Sequence, residues 1–85
     1  MITHVAILFR GELYSLPAPN RHHDVIRHIV ETTGVKSVGG TQGFLANGET
    51  YLGRKPALRH AIECNQLLPR ATGHKLGELY SEDVW

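Results

Sequence analysis

Apolar positions recur along the chain with two different periods, and the switch between them sets the element list. Residues 3–9 run Thr-His-Val-Ala-Ile-Leu-Phe. This continuous stretch, rich in β-branched and aromatic side chains, predicts a strand buried on both faces, as a central strand is. Arg10-Gly11-Glu12 supplies a turn and residues 13–16 alternate, so a hairpin opens the chain. Pro17-Ala18-Pro19 ends it, because proline lacks the N–H that a ladder uses. The period then becomes helical. Val25, Ile26, Ile29, Val30 and Thr33 share one face of a helix over residues 21–33, with Asn20 as N-cap and Gly34 just past its end. Residues 35–38 predict a short strand, broken by Gly39-Gly40. Residues 42–45 and 50–52 flank Asn47-Gly48, whose tolerance of positive φ predicts a type I′ hairpin. A second helix follows, with Pro56 at its first position. Its stripe is Leu58, Ala61, Ile62 and Leu67 or Leu68, and Pro69 stops it. Residues 70–75 predict a polar loop and residues 76–80 a last strand or extended arm.

The resulting order, ββα-β-ββα-β, predicts an α+β fold: a small, mostly antiparallel sheet with two helices packed on one face. The 85 residues are enough for a single domain, 1–85, and not for two. A domain this small buries only about 60% of its unfolded surface, so a partner subunit often adds stability. Cys64 is the only cysteine, which excludes a disulfide within the chain. It is expected to be a small buried hydrophobe and not a nucleophile. The longest apolar run, Val5 to Phe9, is far below the roughly 20 residues of a membrane span. The first residues, Met1-Ile2-Thr3-His4, show no basic n-region and no small-residue cleavage site of a signal peptide. A reduced, cytoplasmic compartment and no membrane partner are therefore expected.

The formal charge of +1 hides an asymmetry. Residues 1–77 hold nine Lys/Arg against five acids, whereas residues 78–85 hold three acids and no base. A basic body can attract an anion, or the acidic end can fold back onto it. Three stretches carry candidate chemistry. Arg21, His22 and His23 stand at the start of the first helix, where free N–H groups and the dipole favour a phosphate or carboxylate, although an ordinary polar first turn reads the same way. Gly39-Gly40-Thr41-Gln42-Gly43-Phe44 lets a ligand approach the backbone, but it has neither P-loop nor dinucleotide-fingerprint spacing. Arg54 and Lys55, followed by Arg59, crowd cations onto the start of the second helix against its dipole, and an anion would relieve that. Asp24/His28 and His60/Cys64 are i,i+4 pairs, but their spacing matches no known zinc site, so no metal and no cofactor are expected. The final Trp85 beside two acids is expected to pack, and Tyr80 and Trp85 can also stack a base.

Three segments together resemble a family of small, mostly uncharacterised proteins of tailed bacteriophages. They are Arg21-His22-His23-Asp24-Val25-Ile26, then Gln42-Gly43-Phe44-Leu45 with Asn47-Gly48 and Arg54, and finally Leu79-Tyr80-Ser81-Glu82-Asp83-Val84-Trp85. Val84 stands where such proteins recurrently carry Leu. The resemblance implies an accessory protein working in the cytoplasm of the infected bacterial cell. By analogy with small phage proteins that disarm host defences, it implies a homo-oligomer that sequesters a nucleotide immune second messenger without cleaving it. On that expectation, Arg21, His22 and His23 meet phosphate, Gln42 and Gly43 offer hydrogen bonds, Arg54 pairs charge, and Phe44, Tyr80 or Trp85 stacks a base. The alternatives are direct inhibition of a host protein, a small nucleic-acid-binding regulator using the cations of the second helix, and a hydrolase using the histidines. Nucleic acid is the less favoured partner, since duplex binders usually carry a stronger positive excess.

Overall fold

The structure is a computed structural model that describes residues 1–72 and 76–85. Four strands, β1 (Ile2–Phe9), β2 (Glu12–Pro17), β3 (Thr41–Ala46) and β4 (Thr50–Gly53), form one antiparallel sheet in the order β2-β1-β3-β4. Both expected hairpins form. Arg10 and Gly11 take φ of 52° and 80°, and Asn47 and Gly48 take 52° and 77°, the two positive values a type I′ turn requires. β1 is central, as its unbroken apolar run predicts.

Register explains which side chains meet. Val5 lies opposite Leu16 on one side and Phe44 on the other, and Ile7 lies between Tyr14 and Gln42. These positions share the face covered by helices α1 (His22–Thr33) and α2 (Arg54–Glu63). Val5, Ile7, Phe44, Val25, Ile29, Ala57, Leu58 and Leu79 close into one core. The fold class is therefore as expected, with both helices on one face of an antiparallel sheet.

Several local expectations give way. Residues 35–38 form no strand; Val35 and Val38 turn their side chains onto the core while the backbone crosses from α1 to β3. Residues 76–80, expected as a strand or an extended arm, form no strand either. Gly77 turns at φ 75°, Leu79 enters the core, and its N–H donates to the Arg54 carbonyl at 3.0 Å. Residues 73–75, part of the expected polar loop, lie outside the described residues. Arg21, not Asn20, caps α1: the Asp24 carboxylate accepts the Arg21 N–H at 2.8 Å, and the Asn20 amide donates to the Pro17 carbonyl instead. α2 begins two residues earlier than expected, which puts Pro56 third in the helix, where its missing N–H still costs nothing. Ala57 replaces Ile62 in the buried stripe, and Ile62 is exposed. α2 ends at Glu63, well before Pro69. Cys64 is exposed, because the chain leaves the helix there.

The acidic end does fold back. A short 3-10 turn, Ser81–Asp83, presents Asp83 inward at 1% exposure. Its carboxylate accepts the N–H groups of Thr72 at 3.1 Å and Tyr80 at 3.0 Å, which satisfies a group too costly to bury alone.

Candidate functional site

An open cleft of about 550 Å³ lies where the first residues of β3 face the N-terminus of α2. Gly40, Thr41 and Gln42 form the strand side; Gly53, Arg54 and Lys55 form the helix side; Glu78 completes the wall. Each is placed by local structure. Gln42 stands opposite Ile7 in the ladder, so its amide points toward the helices at the rim of the core. Gly53 is the extended cap that turns β4 directly into α2, and the first N–H groups of a helix have no partner within it. No acid complements the first turn of α2, so Arg54 and Lys55 add positive charge to the positive end of the dipole. Gly40 lies so close to β1 that a Cβ there would fall 2.6 Å from the Leu8 carbonyl oxygen.

Arg54 is the hub. Its Nη2 donates to the Gln42 amide oxygen, and its guanidinium lies over the Tyr80 ring, 4.7 Å from the centroid. Its Nε is the one buried side-chain nitrogen or oxygen among the described residues that has no hydrogen-bond partner. Tyr80 in turn reaches Glu78 Oε2 with its hydroxyl at 3.4 Å.

His22 opens α1 at 7% exposure and stacks edge-on against Phe44, with ring centroids 5.0 Å apart. Its Nε2 donates to the Gly43 carbonyl at 2.8 Å, which leaves Nδ1 without a proton in the neutral ring. Burial pushes its pKa below the ordinary value, the bond to Gly43 works the other way, and the Arg54 charge lowers it further. Tyr51 covers Gly43 from the opposite face of the sheet, and burial pushes its phenol upward. Arg21 donates through Nη2 to the Trp85 main-chain oxygen at 2.7 Å and stands 3.6 Å from a Glu82 oxygen. Trp85 Nε1 donates to the Asn20 carbonyl at 2.7 Å.

The expected site residues thus fall into groups. Gln42 and Arg54 line the cleft, Tyr80 packs against Arg54, and His22 donates to Gly43, next to Gln42 on β3. Arg21 and Trp85 meet each other and clamp the C-terminal turn to α1. Phe44 is wholly enclosed, so it offers no face to a base, because its position on β3 points it into the core. His23 is exposed and pairs with Asp24 at 3.4 Å. Lys55 and Gly53 were legible only as part of a basic stretch and Thr41 only as part of the glycine-rich one, whereas Glu78 carries no sequence signal for the cleft. His60 Nε2 lies 3.6 Å from Cys64 Sγ, while Asp24 pairs with His23 and Arg27. Among the described residues no three His, Cys, Asp or Glu side chains gather for a metal.

The chain matches, over residues 1–85, the family model described as phage T4 y16D protein. Neither a curated protein nor a solved structure matches it.

Proposed function

On the premise that the chain belongs to the phage T4 y16D protein family, we propose that it is a non-enzymatic accessory protein that binds and sequesters an anionic small ligand, a nucleotide immune second messenger being the ligand class in view. The observation that carries this reading is Arg54: a guanidinium braced by Gln42 and Tyr80, with Nε unpartnered, at the wall of a cleft that also holds Lys55 and the start of α2. Pre-placed cations beside a helix N-terminus are a general solution for holding phosphate. The same proposal places the protein in the cytoplasm of the infected cell, acting as a homo-oligomer. Among the described residues no helix is long and apolar enough to cross a membrane.

Thermal-shift screening against cyclic nucleotides and ADP-ribose derivatives tests it. A ligand specific for the folded state raises Tm with concentration. Arg54→Ala is expected to weaken that ligand by about 1.5–3 kcal/mol, the scale of a charged hydrogen bond. Unchanged affinity in titration calorimetry removes Arg54 from the site. Sequestration predicts that heating the complex returns the ligand intact; a cleaved product means a hydrolase.

Direct inhibition of a host protein has one observation in its favour. Leu8 and Leu13 pair across β1 and β2 on the sheet face that bears no helix, exposed at 41% and 45%. Loss of a co-purifying host protein on Leu13→Glu, with nucleotides inert, would support that reading instead.

A further inference from the structure

We infer that Glu78 makes the cleft selective for a phosphate carried on ribose: the cations take the phosphate, and the Glu78 carboxylate accepts hydrogen bonds from the sugar's vicinal hydroxyls. This rests on the anion-binding reading above and narrows it to a ligand class.

Glu78 lines the same cleft as Arg54 and Lys55. A carboxylate beside a receptor for anions repels its ligand, unless that ligand brings proton donors to it. Among the described residues Glu78 forms no ion pair with either cation. Tyr80 separates the charges. The guanidinium lies over the face of its ring, and its hydroxyl donates to Glu78 Oε2 at 3.4 Å. Cation and carboxylate are therefore neighbours of one side chain, the cation over its ring and the carboxylate at its hydroxyl. The backbone fixes the pair as well, because Leu79, next to Glu78, donates its N–H to the Arg54 carbonyl at 3.0 Å.

That arrangement selects among donors. In a nucleotide the sugar follows the phosphate immediately, and the polar edge of the base lies a further ring away. A base edge overshoots a carboxylate this close to the phosphate-binding group, whereas ribose hydroxyls fall beside it. An ionised carboxylate has about four acceptor positions. Tyr80 occupies one, which leaves room for two vicinal hydroxyls. Dinucleotide-binding folds use the same chemistry when an acid accepts from a ribose hydroxyl. Here it arises on an unrelated architecture from a residue on a turn.

Titration calorimetry with three probes tests the assignment: inorganic phosphate, adenosine 5′-monophosphate, and its 2′,3′-dideoxy counterpart. The wild-type chain is expected to bind the ribonucleotide about 10- to 100-fold more tightly than the dideoxy compound, the worth of hydrogen bonds to a charged group. In Glu78→Ala that preference collapses to about onefold, while phosphate binds at least as well as before. Glu78 is half-buried beside a turn, and Glu78→Gln, which keeps its shape, guards against a folding defect; there the preference falls but the melting temperature does not. Equal affinity for the two nucleotides in the wild type, or a preference that survives Glu78→Ala, overturns the assignment. Phosphate binding without nucleotide binding overturns it too and leaves the anion site standing. No binding of any probe, phosphate included, defeats the anion site itself and this inference with it.

Discussion

At the scale of single residues, two positions show how tightly the sequence is constrained around the cleft. Gly43 pairs with Gly53 in the ladder, and a Cβ on it would lie 2.5 Å from the Leu52 carbonyl oxygen and 2.6 Å from the Tyr51 hydroxyl. The tyrosine can yield, but the backbone carbonyl cannot do so without distorting the strand. Gly43→Ala is therefore expected to destabilise the protein by about 2 kcal/mol, within the range of overpacked cores, as measured by chemical denaturation. An unchanged midpoint would show that β4 is free to move. His22 supplies a pH dependence. Its folded pKa lies below the ordinary 6.5, chiefly through burial. The unfolded chain then takes up a proton that the folded chain refuses, so the stabilisation is complete above that value and is lost as pH falls toward the depressed one. Tm is expected to fall more steeply in the wild type than in His22→Gln between about pH 7 and about pH 5, by at most the slope of one proton. Parallel curves would mean that His22 titrates normally. The sequence marked both residues as candidates, but residue type alone could not say that His22 is an enclosed donor to Gly43 while His23 faces solvent. That distinction depends on which residue of the first helical turn points at Phe44.

At the scale of elements, the legible features were those with local causes. Both hairpin turns, the Asn47-Gly48 one down to its type I′ conformation, the central strand and the left-handed Gly34 after α1 follow from chemistry within a few residues. The errors came where tertiary packing decided. Residues 35–38 and 76–80 had strand-like composition, but valine and leucine can be buried by side-chain packing without a ladder partner. The C-terminal turn is the plainest case. Ser81–Asp83 is held by a buried carboxylate that takes two backbone N–H groups from different parts of the chain. Asp83→Asn replaces one acceptor with a donor facing an N–H. It is expected to cost about 1–3 kcal/mol in unfolding free energy, the penalty for an unsatisfied buried group. A loss well below that would mean that the turn contributes little to the fold. Because Tyr80 immediately precedes this turn, the same substitution is expected to loosen the ring that braces Arg54.

At the scale of the whole molecule, the charge asymmetry in the sequence has a structural outcome. Part of the acidic end neutralises the body, with Glu82 beside Arg21, and part of it, Glu78, enters the cleft. The sequence indicated a shared site for cations from distant segments, yet not which would meet. Arg54 and Gln42 are brought together by the antiparallel pairing of β3 and β4, whereas Arg21 is diverted to the Trp85 backbone. Arg54 and Lys55 thus stand together at the N-terminus of α2, with no acid in its first turn. The most direct test is a titration of the ¹⁵N-labelled protein with phosphate, following every backbone amide at low and high ionic strength. Saturable shifts confined to residues 40–42, 53–55 and 78–80, weakened by salt and abolished in Arg54→Ala, are expected. Saturable shifts centred on the exposed first turn of α1 around His23, or none that saturate at all, would contradict an Arg54-centred receptor.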